Sequence, residues 1–102
     1  MGKFVYVYTG GQMAQTPQEQ EAVMAAWNAW FAELGTSVTD GGNPFGASAI
    51  VGAGGATTSG GGRAGGYSII EADSLDDAAT KAKGCPVLEA GGTVEVYEAL
   101  SM

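Results

Sequence analysis

The segment Lys3–Thr9 constrains the fold more than any other part of this chain. It has the sequence Lys-Phe-Val-Tyr-Val-Tyr-Thr, and two glycines follow it. Such β-branched and aromatic residues predict a β-strand. Because side chains alternate between the faces of a strand, Phe4, Tyr6 and Tyr8 share one face and the two valines share the other. Both faces are therefore apolar, and we expect a central strand that is covered on both sides.

A long amphipathic helix follows this strand. Thr16 is a suitable N-cap residue, Pro17 fits the first helical position, and Glu19 completes a capping box. The helix is predicted to end at Leu34, with Gly35 as its C-cap glycine. Its predicted apolar face consists of Val23, Trp27, Trp30, Phe31 and Leu34.

The rest of the chain contains three further strands and a second helix. Thr36–Thr39 is compatible with a short strand that Ala47–Val51 could resume, and Tyr67–Glu71 predicts a strand. Ser74 is the N-cap of the second predicted helix, and Gly92–Glu98 forms the last strand. The order strand, helix, strand, strand, helix, strand is typical of the α+β ferredoxin-like fold. It predicts one domain over residues 1–102, with a four-stranded antiparallel sheet, both helices on one face and a second subunit on the other.

The segment Gly52–Gly66 separates two of these strands. Eight of its fifteen residues are glycine, and none is a hydrophobic residue larger than alanine. Because it can bury little apolar surface, we expect a mobile loop, acting either as a lid over a pocket or as a passive connection. A phosphate-binding loop would lead into a helix and carry a lysine, and this segment does neither.

Composition excludes several classes of function. Four basic and eleven acidic residues give a net charge of −7, which disfavours nucleic acids and anionic membranes as partners. The chain has no histidine and one cysteine, so imidazole metal sites, histidine-activated nucleophiles and an intrachain disulfide are excluded. No apolar stretch has the length of a signal peptide or a membrane span, and no cofactor is implied. We expect a soluble, cytoplasmic protein.

A few polar side chains are candidates for a functional site. Asp40 stands in a turn-forming sequence after the second strand and is the best candidate for a general acid or base. Arg63 is the one cation in the glycine-rich loop and could clamp an anionic molecule. The remaining candidate ligand-binding residues are Thr9, Asn43, Tyr6 and Tyr8.

Two other residues are assigned from their position. Alternation in the last strand places Glu95 on the face opposite its neighbouring valines, as a subunit contact, a pocket carboxylate or an exposed residue. Cys85 follows the second helix, and without a histidine to activate it we expect an inert thiol.

Several stretches resemble the YCII-related (DGPF-type) family. The sequence GGYSIIEADSLDDA at Gly65–Ala78 is the most specific. Gly91–Val96 is similar to the family's last strand, and Phe4–Tyr8 to its first. Asp40–Gly46 is similar to the glycine–proline turn after its second strand.

The resemblance implies a ferredoxin-like fold that pairs as a dimeric α/β barrel, with a pocket between the sheet and the loops. It also implies a histidine–aspartate pair in members regarded as enzymes. In this sequence Thr9 stands close to the position where the resemblance implies the histidine, and Asp40 is the residue that matches the aspartate. The Asp-Gly-Pro-Phe sequence is absent, and Gly52–Gly66 occupies its region.

Three functions are compatible with this sequence. The first is a homodimeric protein that binds a small organic ligand without established catalysis. The second is a small lyase or isomerase that uses Asp40 as base. The third is a structural or regulatory dimerisation module.

Overall fold

The computed structural model describes residues 2–101, which form one four-stranded antiparallel sheet, a separate two-stranded hairpin and three helices. The elements are β1 (Gly2–Thr9), α1 (Pro17–Leu34), β2 (Val38–Asp40), β3 (Ala49–Val51), β4 (Thr57–Ser59), β5 (Ala64–Ala72), α2 (Leu75–Ala82), α3 (Pro86–Glu89) and β6 (Thr93–Ala99). The strands of the main sheet lie in the order β2-β5-β1-β6. This is the ferredoxin-like arrangement, and it confirms the predicted fold class.

The first strand is central, as its two apolar faces predict. β1 pairs antiparallel with β5 on one side and with β6 on the other, so that Tyr6 lies opposite Ser68 and Val96. Phe4, Tyr6 and Tyr8 are buried, whereas the valines between them are only half-buried. The two faces of the sheet therefore differ in how well this chain covers them.

The hydrophobic core lies between the sheet and the helices. Trp30 of α1 stacks on Tyr6, with ring centroids 5.9 Å apart, and is itself buried. The other buried apolar members are Phe4, Tyr8, Ile70, Ala72, Ala78, Ala82 and Cys85. The small residues of α2 let that helix approach the sheet closely, and this packing fixes the helix face of the sheet.

Helix α1 has the predicted ends but packs on the core with only its second half. The hydroxyl of Thr16 accepts a hydrogen bond from the Glu19 amide, and the Gly35 amide donates to the carbonyl of Phe31. Trp30 is buried, but Val23 is 42% exposed. The predicted continuous apolar face is therefore wrong at its first residue, because the first half of α1 extends beyond the core.

Two segments that follow the helices α1 and α2 differ from the sequence-based predictions. Gly35–Ser37 forms a 3-10 turn, so the strand expected at 36–39 begins only at Val38. Pro86 follows the end of α2 at Ala82 and takes the first position of a short helical turn, α3, which the sequence analysis does not predict. Proline favours this position because its missing N–H group needs no partner there.

The glycine-rich segment contains regular structure. Thr57–Ser59 forms β4 and pairs with β3 across a turn, and residues 64–66 begin β5. The prediction of one continuous loop is therefore wrong at these six positions. The β-branched threonines favour an extended backbone. The neighbouring strands β3 and β1 supply the pairing hydrogen bonds, and a glycine-rich sequence gives no local sign of such pairing.

The outline is flat and open. The principal extents are 44 × 41 × 19 Å and the radius of gyration is 15.0 Å, against about 13 Å for a compact domain of this length. The accessible surface of 7016 Å² exceeds the roughly 5,300 Å² expected of a compact monomer of 10.2 kDa. This chain thus leaves about 1,700 Å² more surface in water than its size requires.

The open face is the side of the sheet away from the helices. Val5, Val7, Tyr67 and Ile69 are half-buried there, because no helix of the described residues covers them. Tyr97 of β6 lies opposite Val5 and is 52% exposed. Among residues 2–101, no helix is both long and apolar enough to span a membrane.

Candidate functional site

The hydroxyls of two predicted ligand-binding residues are already bonded within the core. The Tyr6 hydroxyl donates to the Ala78 carbonyl at 2.5 Å, and the Tyr8 hydroxyl donates to Ser68 Oγ at 2.7 Å. Burial raises the pKa of both phenols well above their ordinary value. Both therefore stay neutral at physiological pH, and their positions favour a structural role.

A buried hydrogen-bond chain connects the core to the turn after β2. Ser68 is fully buried, and its hydroxyl donates to the Gly41 carbonyl at 2.7 Å while it accepts from Tyr8. The turn that carries Asp40 is thus held by a network that begins on β1.

The carboxylate of Asp40 stabilises its own turn. Asp40 Oδ1 accepts a hydrogen bond from the Gly42 amide at 2.9 Å. Gly42 has a φ of +75°, and a Cβ at that position would lie 1.7 Å from the Tyr67 carbonyl oxygen. The Asn43 carbonyl accepts from the Tyr67 amide at 3.3 Å, and its side chain is exposed. This geometry favours a structural role for Asp40, and its use as a base stays a prediction.

The sheet topology brings the other candidates to one end of the sheet without joining them. Thr9 ends β1, and its hydroxyl oxygen lies 2.5 Å from that of Thr93. Arg63 directly precedes β5 and is exposed, and within residues 2–101 it forms no ion pair. Two concavities of the described chain, one beside Trp27 and one beside Trp30, are lined by neither Arg63 nor Asp40.

A concavity of about 470 Å³, the Trp27 cleft, lies between the β1–α1 connection, the first half of α1, and α3. Trp27 and Val87 contribute its apolar wall. The ring of Trp27 packs edge-on against Tyr8, with centroids 4.9 Å apart, so the indole is held in place from the core side. The Gln12 amide donates to the Ala90 carbonyl at 2.9 Å and fixes the loop against α3.

The lining of the Trp27 cleft is mostly apolar. Gln12, Gln20 and Glu89 are its residues with polar or charged side chains, and it includes no lysine or arginine. Ala22 and Ala26, one helical turn apart on α1, leave room beside the indole. Such a lining suits a flat, uncharged molecule better than an anion.

None of the sequence-based predictions places a site at this cleft. Trp27 is expected on the apolar face of α1, and the candidate site residues lie near strand ends. The available signal was a run of small and flexible residues between the strand and the N-cap, together with small residues around Trp27 on α1. Among residues 2–101, no group of three or more potential metal ligands occurs.

Comparisons with known proteins identify the family and the fold. A family model described as the YCII-related domain matches residues 3–102. A similar solved structure is the 5-chloro-2-hydroxyhydroquinone dehydrochlorinase TftG from Burkholderia phenoliruptrix, in complex with 2,5-dihydroxybenzoquinone. The two chains are 23% identical, with a TM-score of 0.56, over 96% of this chain and 93% of the other. At this identity the likeness shows a shared fold. No curated protein matches the chain.

Proposed function

Because the chain belongs to the YCII-related domain family, we propose that it is a homodimeric protein that binds a small organic molecule. We assign the ligand to the Trp27 cleft and expect a neutral aromatic or quinoid ring. The observation that carries this proposal is an apolar cleft with a fixed indole wall and no cation in its lining.

The size of the cleft supports a ligand that consists of one aromatic ring with small substituents. Small-molecule sites occupy about 300–1,000 Å³ and are lined mainly by apolar and aromatic side chains. At about 470 Å³ the Trp27 cleft lies within this range. An aromatic ligand could stack on Trp27 or meet its edge, which adds about 0.5–1.5 kcal/mol beyond area burial.

The charge of the cleft supports a neutral ligand. Glu89 is the one charged side chain in the lining, and the whole chain carries a net charge of −7. A carboxylate ligand would lose hydration there without gaining a cationic partner. The neighbour's quinoid ligand has a ring of suitable size, but its hydroxyls are conjugated to the quinone carbonyls and ionise at neutral pH, so it joins benzoate in the test panel as an anionic comparison.

The binding experiment is a thermal-shift measurement with hydroquinone, 2,5-dihydroxybenzoquinone and benzoate. At 100 times its dissociation constant a ligand stabilises the folded state by about 2.7 kcal/mol, which raises Tm by roughly 11–22 °C in a domain of this size. Ala22→Phe would fill the cleft, and Ala25→Phe is its matched control, because Ala25 is an exposed helix residue outside the lining.

We expect hydroquinone to raise the Tm of the wild type and of Ala25→Phe but not that of Ala22→Phe. Equal shifts in both variants would show binding elsewhere. A shift with benzoate or 2,5-dihydroxybenzoquinone but not with hydroquinone would overturn the neutral ligand. No shift with any compound would overturn ligand binding and leave the dimerisation module as the remaining function.

The open face supports the homodimer. A stable interface of standard size buries about 800 Å² on each partner, and the excess surface of this chain is roughly twice that amount. Covering Val5, Val7 and Ile69 with the same face of a second copy gives a closed two-fold pair. Sedimentation equilibrium at micromolar concentration tests this, and a monomer mass would overturn it.

Catalysis by Asp40 in a lyase or isomerase stays an alternative prediction. It requires Asp40 to exchange its bond with the Gly42 amide for a substrate, and a role for Arg63 requires that side chain to reach the same place. An Asp40→Asn variant that binds hydroquinone normally would separate ligand binding from any role of this carboxylate.

A further inference from the structure

The β3–β4 hairpin forms a projecting arm, which we define as residues 46–62. Its hydrogen bonds are internal: the two strands pair at Ala49–Ser59, Ile50–Thr58 and Val51–Thr57. At the base of the arm, the Gly60 amide donates to the Ser48 carbonyl at 2.7 Å, and the Gly62 amide donates to Ser48 Oγ at 3.1 Å. The arm is thus a regular hairpin that forms its own sheet, separate from the main one.

The arm buries almost nothing within this chain. All its residues are exposed except Gly60, which is half-buried, and Ile50 and Val51 are 48% and 66% exposed. An isolated two-stranded hairpin is at best marginally stable in water. Its regular form therefore points to a covering surface outside the protomer.

The arm also lacks the features that keep a free strand edge from associating. None of the fifteen charged residues of the chain lies between 46 and 62, and the arm contains no proline. Soluble proteins protect exposed edges with charges, prolines or bulges, and an uncharged edge with β-branched side chains is a surface for association. The composition of the arm is that of an interface.

Its position favours a second copy of this chain as the partner. The arm begins next to Phe45, whose ring stacks on Tyr67 with centroids 5.6 Å apart, and Tyr67 belongs to the open face. The arm is therefore continuous with the face that the homodimer would cover. The excess surface of about 1,700 Å² also exceeds what a sheet-to-sheet contact of standard size needs, which leaves area for the arm.

We propose that the arm of each protomer clasps the other protomer of the homodimer and buries Ile50 and Val51 against it. In a two-fold pair this contact occurs twice, so each protomer contacts its partner with its own arm and is contacted by the partner's arm. The inference rests on the homodimer proposed above and adds a second contact region outside the open face.

The first test compares two variants with the same added charge. I50D/V51D places two carboxylates at the apolar positions of the arm, and A53D/A56D places two in its exposed turn. Sedimentation equilibrium gives the dimer dissociation constant of each. We expect I50D/V51D to weaken the dimer at least about 100-fold and A53D/A56D to weaken it less than about 5-fold.

The outcomes separate the two proposals. A monomeric wild type overturns the homodimer and the clasp together. A dimeric wild type with an equally tight I50D/V51D dimer overturns the clasp and leaves the homodimer intact. Equal weakening by both variants would show a charge effect alone and would also overturn the clasp.

A second test does not depend on destabilising the dimer. Val51→Cys and Ala53→Cys each introduce an exposed thiol for a nitroxide spin label, while Cys85 is buried and does not compete. At dimer concentrations we expect an immobilised spectrum at residue 51 that becomes mobile on dilution, and a mobile spectrum at residue 53. A label at residue 51 as mobile as that at residue 53 contradicts the clasp.

Discussion

The buried chain from Tyr8 through Ser68 to Gly41 yields a quantitative prediction. Tyr8→Phe removes one donor, and Ser68 can still donate to the Gly41 carbonyl. The expected loss is that of one ordinary hydrogen bond, about 1 kcal/mol of unfolding free energy. The ring keeps its contacts with Trp27 and Trp30.

Ser68→Ala costs more although, like Tyr8→Phe, it removes a single oxygen atom. It leaves the Tyr8 hydroxyl without an acceptor and the Gly41 carbonyl without this donor. An unsatisfied buried polar group costs about 1–3 kcal/mol. The carbonyl of exposed Gly41 can turn to water, so we expect about 2–3 kcal/mol in total.

The double variant is the decisive measurement. With Phe at position 8 and Ala at position 68, neither hydroxyl of this pair remains, and we expect about 1–2 kcal/mol of destabilisation, less than the sum of the single changes. Urea unfolding followed by tryptophan fluorescence, at one fixed protomer concentration, gives all four free energies. Additive values, or a Tyr8→Phe loss larger than the Ser68→Ala loss, would refute the network.

Three further predictions follow from other contacts. Gly42→Ala should destabilise the fold by more than about 3 kcal/mol in urea unfolding, because its Cβ would overlap the Tyr67 carbonyl oxygen. Gly46→Ala is the control: its Cβ meets nothing within 4 Å, and it should change stability by less than about 1 kcal/mol. Burial raises the pKa of Cys85 to about 11, so a thiol reagent at pH 8 should react far more slowly with the native protein than with protein in urea, and equal rates would contradict the burial. A hydrogen bond from Lys81 lowers the pKa of the Asp77 carboxyl below its ordinary value near 3.8, so its contribution to stability is present above that pH and lost as pH falls through the lowered value. Measured from pH 5 to 2, the Tm of Asp77→Asn should therefore fall less steeply than that of the wild type.

Much of the fold follows from local patterns in the sequence. The central strand, the capped helix α1 and the N-cap at Ser74 depend on side-chain alternation, helical spacing and hydrogen bonds within a few residues. Ser74 indeed accepts from the Asp77 amide at 3.0 Å. These signals lie close together in the chain, so they can be recognised without knowing the fold.

The hairpin and the site residues depend on contacts that are distant in the chain or on weak local preferences. Tyr6 bonds a carbonyl 72 residues away, and Tyr8 bonds a hydroxyl 60 residues away, so their structural use could not be predicted locally. The strand Thr57–Ser59 lies among glycines, and only its pairing partner reveals it. The Trp27 cleft is a consequence of how the loop and α3 pack, which no spacing in the sequence records.

The uneven anchoring of α1 has a consequence for dynamics. Trp30 is buried, while every residue from 17 to 26 is exposed, so the two halves of one helix should differ in local unfolding free energy. Amide hydrogens in the first half should exchange with solvent sooner than those near Trp30. Gln20, Ala22 and Val23 line the cleft from that half, so a bound molecule would slow the exchange of their amide hydrogens. The exchange rate in the first half of α1 would therefore indicate whether the cleft is occupied.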